Sequence, residues 1–263
     1  MDNRKIGVFD SGVGGLTVFS EIIKQLPNED ITYIGDTKRF PFGNKSKESI
    51  ISISKQIVNY LILQDVKLIV IACGTATSQA LEELRKIYKI PIIGIIEPTI
   101  ENCIKEDTKS VGIIATKGTI RSGEWEKQIK LKNNNIETIS VETPLLASMA
   151  EEGWTQNEVA KAAIKEYMKE FKNTQIEKLI LGCTHYPLFE KIIKEELGEK
   201  IETINTGVQM AKYLEKYLKE NQLENKKEHK GKYKINLTDT ECNFINVAEK
   251  LLGQKITINK IEL

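Results

Sequence analysis

The chain has 263 residues, enough for one large domain or two modest ones whose core needs neither disulfide nor metal to hold it. Its 38 Lys and Arg nearly balance 37 Asp and Glu, which argues against a dedicated nucleic-acid binder. The opening MDNRKIGVFDSG has neither the apolar core nor the cleavage site of a secretory signal, and no apolar stretch approaches the ~20 residues of a membrane span.

In chain order, short apolar runs alternate with amphipathic helical stretches. KIGVFD predicts a strand, LTVFSEIIKQL a helix, ITYIGD a strand and KESIISISKQIVNYLILQ a helix. KLIVIAC, TSQALEELRKIY, PIIGIIE and SVGIIAT follow as strand, helix, strand and strand. IETISVE, VAKAAIKEYMKEF, KLILGC and KIETIN continue the alternation. From GVQMAKYLEKYL onwards the signals are helix, strand (YKINLT), helix and strand (ITINKI), while KENQLENKKEHKGK reads as a loop or helix end. Strands rich in Ile and Val with helices between them predict an α/β protein with mainly parallel sheets flanked by helices. Ligands in such folds sit beyond the carboxyl ends of strands, which draws attention to Asp10, Asp36, Cys73, Glu97, Thr116 and Cys183.

An approximate duplication runs through this pattern. KLIVIACGTA (67–76) resembles KLILGCTHYP (178–187), and IGVFDSGVG (6–14) resembles VGIIATKGT (111–119) at a similar separation. Two related halves facing one another across a cleft are therefore expected. Residues 1–97 with 207–263 form the first lobe in this reading, and 98–206 the second.

DSGVGGLT (10–17) follows a strand and opens a helix, as a nucleotide loop does, and Asp36 suits a ribose-binding acid. The fingerprint fails at its sixth position, which is Thr17, and Asp10 would set a carboxylate against a pyrophosphate. A loop whose amides bind a small carboxylate while Asp10 meets a cation fits better. The basic run from Lys226 to Lys234 is interrupted by Glu228 and reads as a solvated loop, with His229 inside it.

The four cysteines, Cys73, Cys103, Cys183 and Cys242, include no CxxC pair, so neither a zinc site nor a disulfide framework is indicated and a reduced, cytoplasmic protein is expected. Cys103 and Cys242 lie in helical patterns without polar neighbours and read as inert small hydrophobes. Cys73 and Cys183 instead stand at equivalent strand ends, each entering a polar turn, and a helix N-terminus there lowers a thiol pKa from about 8.5 toward neutrality. His185 accompanies one, and Asp10 is placed to accompany the other. A disulfide oxidoreductase would have its cysteines close in sequence, a metal site would need further ligands, and a cysteine hydrolase needs one nucleophile. Proton transfer at a stereocentre needs two groups, one on each face, each able to act as base and acid.

DSGVGGLTV (10–18), YIGDTKRFPFGNKS (33–46), IACGTA (71–76), IIGIIEP (92–98) and LGCTHYP (181–187) together resemble the glutamate racemase family, in the right order and over nearly the whole chain. The resemblance implies a cofactor-independent protein of two pseudo-symmetric lobes that interconverts L- and D-glutamate for peptidoglycan. It implies that Cys73 and Cys183 are the acid/base thiols, with Asp10 and His185 as helpers and Glu151 as a supporting acid, Glu152 lying next to it. Asp10 and Ser11 resemble the residues that meet the α-amino end of the substrate. Phe42, Gly43, Gly74, Thr75, Thr184 and His185 occupy further contact positions, and Thr116 supplies one from the second lobe.

The chain departs from the family pattern at Gly74, where Asn is usual, at Phe42, where Tyr is common, and at Thr143-Pro144, where Cys-Pro is frequent. Some relatives carry an N-terminal extension that binds a nucleotide-sugar activator; here the first strand begins at Lys5, so activity without that activator is expected. Glutamate is the expected partner, with no metal, nucleic acid or membrane involved and a homodimer compatible with the resemblance. A racemase of another amino acid such as aspartate, a catalytically silent binding relative and a thiol-redox protein are the alternatives.

Overall fold

The computed structural model describes residues 2–225, 230–240, 249, 252–253 and 255–263. His229, Cys242, part of the basic run and most of the expected last helix lie outside the described residues.

The first sheet is built on β1 (Lys5–Asp10), β2 (Ile31–Gly35), β3 (Val66–Ile71) and β4 (Ile92–Gly94), with helices α1 (Leu16–Gln25), α2 (Lys47–Leu63) and α3 (Gly74–Ile87) between them. The strands are buried almost throughout, as unbroken Ile, Val and Leu runs must be when helices cover both faces. Helix α4 (Ile96–Cys103) leads to the second set. There β5 (Ser110–Ala115), α5 (Lys117–Arg121), α6 (Glu124–Lys132), β6 (Glu137–Glu142), α7 (Leu146–Glu151), α8 (Glu158–Met168), β7 (Lys178–Leu181), α9 (Glu190–Leu197) and β8 (Glu202–Asn205) follow. Helix α10 (Thr206–Glu220) then returns the chain to the first sheet, which gains β9 (Tyr233–Leu237) and β10 (Ile258–Lys260).

Every strand pair is parallel, in the orders β10-β9-β2-β1-β3-β4 and β6-β5-β7-β8. The succession β2-β1-β3-β4 thus recurs as β6-β5-β7-β8, which is the duplication of the sequence expressed as topology. In each sheet the chain steps to one side of its central strand and then crosses to the other, so a crevice opens beyond the carboxyl ends of β1 and β3 and of β5 and β7. Cys73 and Cys183 each lie two residues past the cysteine strand of their sheet. The two sheets thereby deliver their thiols from equivalent places.

Between the sheets, one apolar cluster runs from Ile6, Val8 and Val70 through Ile96 and Ile100 of α4 to Val111, Ile113 and Ile180. Each such side chain contributes about 1.5–3 kcal/mol of burial, so the crevice has a stiff apolar floor. Helix α10 packs on α1 and α4. PIIGIIE differs from its expected form: β4 stops at Gly94 and α4 starts at Ile96. The apolar run continues because α4 buries Ile96 and Ile100 in its turn, so Glu97 sits in a first helical turn and not at a strand end. Among the described residues no helix is long and apolar enough to cross a membrane.

Candidate active site

Asp10 ends β1 fully buried, and its Oδ2 accepts from the backbone N–H groups of Gly15 at 2.9 Å and Gly12 at 3.2 Å. The glycine-rich turn therefore wraps its amides around its own aspartate. These two amides are thus taken by Asp10 and are not free for a substrate carboxylate, contrary to the expectation for the loop. The Tyr33 hydroxyl, buried beneath the turn, donates to Gly12 O at 2.7 Å. Burial pushes the Asp10 carboxyl above its ordinary value, against the opposing pull of His185 and the two amides.

Cys73 is the N-cap of α3, its Sγ accepting from Ala76 N at 3.4 Å. Its thiol is nevertheless pushed up to about 12, by burial first and by the Asp10 charge second. The expected drop toward neutrality is thus overturned: one amide and a helix end do not outweigh the loss of solvent and a neighbouring carboxylate. Cys183 differs from expectation in another way, because the turn after it is a four-residue 3-10 segment, Tyr186–Phe189, and not an α-helix.

His185, and not a helix end, stands against the Cys183 thiol. Its Nδ1 is 3.5 Å from Cys183 Sγ and its Nε2 is 2.7 Å from Glu151 Oε1. Burial alone would favour neutral imidazole, yet Cys183 and Glu151 together hold His185 well above its ordinary pKa. With Nε2–H donated to Glu151, Nδ1 either accepts the thiol proton or, in the imidazolium, donates toward a thiolate. The structure sets Glu151, rather than exposed Glu152, at this position.

The two thiols line one cavity of about 20 Å³, together with Ser11, Phe42, Gly43, Gly74, Thr75, Thr116, Thr184 and His185. Asp10 and Glu151 stand directly behind this lining, Asp10 within 3.5 Å of the Thr184 hydroxyl and Glu151 against His185. A space of this size holds one water at most, so the lobes are shut. Two first-lobe glycines show how tightly: a Cβ at Gly14 would lie 2.4 Å from the His185 ring, and one at Gly74 would lie 2.4 Å from the carbonyl oxygen of Gly182. A roomier groove of about 670 Å³ beside it is lined by Lys45, Arg85, Glu97, Arg121 and Lys127 among others and contains no thiol or imidazole.

Thr119 and Phe40 also line the cavity and were not singled out in the sequence. The Thr119 hydroxyl is 2.9 Å from that of Thr116 and 3.2 Å from that of Thr75, closing a ring of three hydroxyls across the lobes with the 2.9 Å Thr75–Thr116 contact. The T-x-x-T spacing at the start of α5 is the signal that identifies it, since cap and third helical residue share one end of the helix. Phe40 sets its ring 5.8 Å from that of His185.

Asp36 and Glu97 do not join the cavity. Asp36 is buried against Arg39 Nε at 2.6 Å and the Thr238 hydroxyl at 2.9 Å, and Glu97 pairs with Arg85 at 2.7 Å. Cys103 lies in the core, its thiol pushed up to about 11 by burial. Thr143 donates to Tyr186 Oη at 2.6 Å and receives the Tyr186 hydroxyl on its carbonyl at 3.0 Å, just behind Cys183. Among the described residues no three His, Cys, Asp or Glu side chains are grouped to hold a metal ion.

Residues 6–211 match the model of the Asp/Glu/hydantoin racemase family. The chain belongs to that family. Within it, a glutamate racemase of Geobacter metallireducens is 40% identical over 254 residues, covering 96% of this chain and 94% of its own. A glutamate racemase isoform from Bacillus anthracis superposes with a TM-score of 0.95 at 36% identity, covering 100% of this chain and 99% of that one. The glutamate racemase of Francisella tularensis, solved in complex with D-glutamate, superposes with a TM-score of 0.93 at 38% identity, covering 100% of this chain and 98% of the other.

Proposed function

We propose that this protein interconverts L- and D-glutamate without a cofactor, by two-base proton transfer between Cys73 and Cys183, and that it supplies D-glutamate for peptidoglycan. The observation that carries the reading is the placement of two thiols from equivalent strands on one cavity, one with a carboxylate behind it and the other with a carboxylate–imidazole pair. The relatives named glutamate racemase, and the D-glutamate complex among them, support the substrate.

In this reading Asp10 draws the proton from Cys73 as the substrate enters, aided by its raised proton affinity. The resulting thiolate removes the α-proton from one face. Cys183, holding its proton beside His185, delivers it to the other face, and the roles reverse for the opposite enantiomer. His185 moves charge between Cys183 and Glu151 over 3.5 and 2.7 Å. Ser11, Thr75, Thr116 and Thr184 present hydroxyls to the carboxylates and the ammonium, while Phe42 and Gly43 close the wall. The hydroxyl-rich lining suits a short polar amino acid. A cytoplasmic location, a homodimer and the division into lobes 1–97 with 207–263 and 98–206 belong to the same reading.

The test is circular dichroism of L- and D-glutamate with purified protein in deuterated water. Loss of optical activity, with solvent deuterium entering the product enantiomer ahead of the remaining substrate, is expected. Racemisation of aspartate and not glutamate, or no racemisation of either, overturns the reading.

A further inference from the structure

Cys183, His185 and Glu151 all come from the second sheet and its helices, but the surface on which their turn rests comes from the first. The turn that leads into α1 presents Gly14, and the first turn of the helix presents Thr17. Gly14 makes room for the His185 ring, as a Cβ there would stand 2.4 Å from it. Thr17, 6% exposed, places its Oγ1 2.7 Å from the carbonyl oxygen of Thr184, the residue between Cys183 and His185. The same Oγ1 is 2.9 Å from Gly14 O.

A threonine hydroxyl has one proton, so it serves one of these carbonyls fully at a time. Gly14 O already receives the Thr17 N–H at 3.0 Å and is not left bare when the hydroxyl turns away. Thr184 O, when the lobes part, is free to take water. Parting the lobes therefore exchanges the hydroxyl's interlobe partner, Thr184 O, for the turn carbonyl of Gly14. The Thr184 side chain reaches back at 3.5 Å to Asp10 Oδ1, which ties the same turn to the carboxylate behind the other thiol.

We infer that Thr17 is a positioning residue: its hydroxyl latches the Cys183–His185 turn onto the first lobe and sets the second thiol in register with the substrate. It touches neither substrate nor thiol and acts through the Thr184 carbonyl. The inference rests on the proposed racemase reading for its catalytic consequence, but the latch itself concerns the two lobes alone.

The test compares Thr17→Val, which keeps the branched shape, with Thr17→Ser, which keeps the hydroxyl. Two readouts are taken: kcat and KM for both glutamate enantiomers, and the rate at which iodoacetamide alkylates Cys183 in substrate-free enzyme, resolved by peptide mass spectrometry. Thr17→Val is expected to lower kcat/KM about five- to tenfold, the worth of one neutral hydrogen bond, and to alkylate Cys183 severalfold faster, while Thr17→Ser stays near wild type on both. Wild-type values for Thr17→Val, or equal impairment of the Val and Ser variants, would mean that packing and not the hydroxyl is at work and would overturn the inference. A protein that racemises no glutamate but shows the alkylation pattern keeps the latch and removes only the reading of what it serves.

Discussion

Gly74 and Gly182 face each other across the lobes so closely that a methyl group on Gly74 would lie 2.4 Å from the Gly182 carbonyl oxygen. Gly74 is the first residue of α3 and does not have a positive φ, so its backbone suits any L-residue; only space forbids one. An asparagine here would meet the same carbonyl oxygen.

For Gly74→Ala the seam must open, and glutamate, too large for the present cavity, opens it in any case. The added methyl therefore opposes the empty, shut form more than the loaded one. Faster substrate-free alkylation of Cys183, a KM unchanged or lower, and kcat within about threefold are expected; the lost glycine flexibility offsets part of the strain, roughly 0.5–1 kcal/mol. A collapse of kcat would show that the loaded enzyme also needs Gly74 this close to the Gly182 carbonyl.

Cys73→Ala and Cys183→Ala should each abolish racemisation with folding retained, since each removes one small buried side chain. Either variant should still eliminate HX from a β-substituted analogue, which needs a single base. Circular dichroism of glutamate and thermal unfolding check the pair. Full racemase activity in either would exclude two-base transfer.

Asp10→Asn separates stability from turnover. Burial holds the Asp10 carboxyl above its unfolded value, so its stabilising contribution is full below about pH 3.9 and is lost as pH rises through the folded pKa. At neutral pH the buried charge is a cost, and asparagine removes it while its oxygen can still accept from Gly12 and Gly15. An equal or higher melting temperature with kcat reduced at least about a hundredfold is the expected result. A variant that is less stable at neutral pH would contradict it.

The sign is opposite at His185. Its pKa is held above the unfolded value, with burial opposed by Cys183 and Glu151, so its stabilising contribution is full below about pH 6.5 and is lost as pH rises through the folded value. Glu151→Gln should accordingly unfold at a lower temperature than wild type at about pH 6, the gap narrowing in alkaline buffer. Its kcat should fall, with separate kcat values for the two enantiomers changing unequally. The ratio of kcat/KM between directions must stay at unity, because the two substrates are mirror images.

The strands were legible because unbroken Ile and Val runs have little other use, and the paired thiols were legible because the chain repeats the motif that carries them. What escaped was set by tertiary packing. PIIGIIE ran past its strand because Ile96 and Ile100 face the same core from a helix. The direction of the Cys73 shift could not be read from a helix cap alone, since burial and Asp10 decide it. Thr17 stands out in the sequence only as the residue that breaks a nucleotide fingerprint, and Thr119 does not stand out at all; only the approach of the two lobes gives their hydroxyls a partner across the seam.

The shut cavity of about 20 Å³ has a thermodynamic meaning. Where glutamate enters only when the lobes part, it binds only the fraction of molecules that are open, and measured affinity is reduced by that fraction. Substitutions that wedge the seam can then tighten apparent binding without touching the ligand. A small molecule that fits neither shape of the cavity but favours the open one would raise affinity for glutamate from a distance.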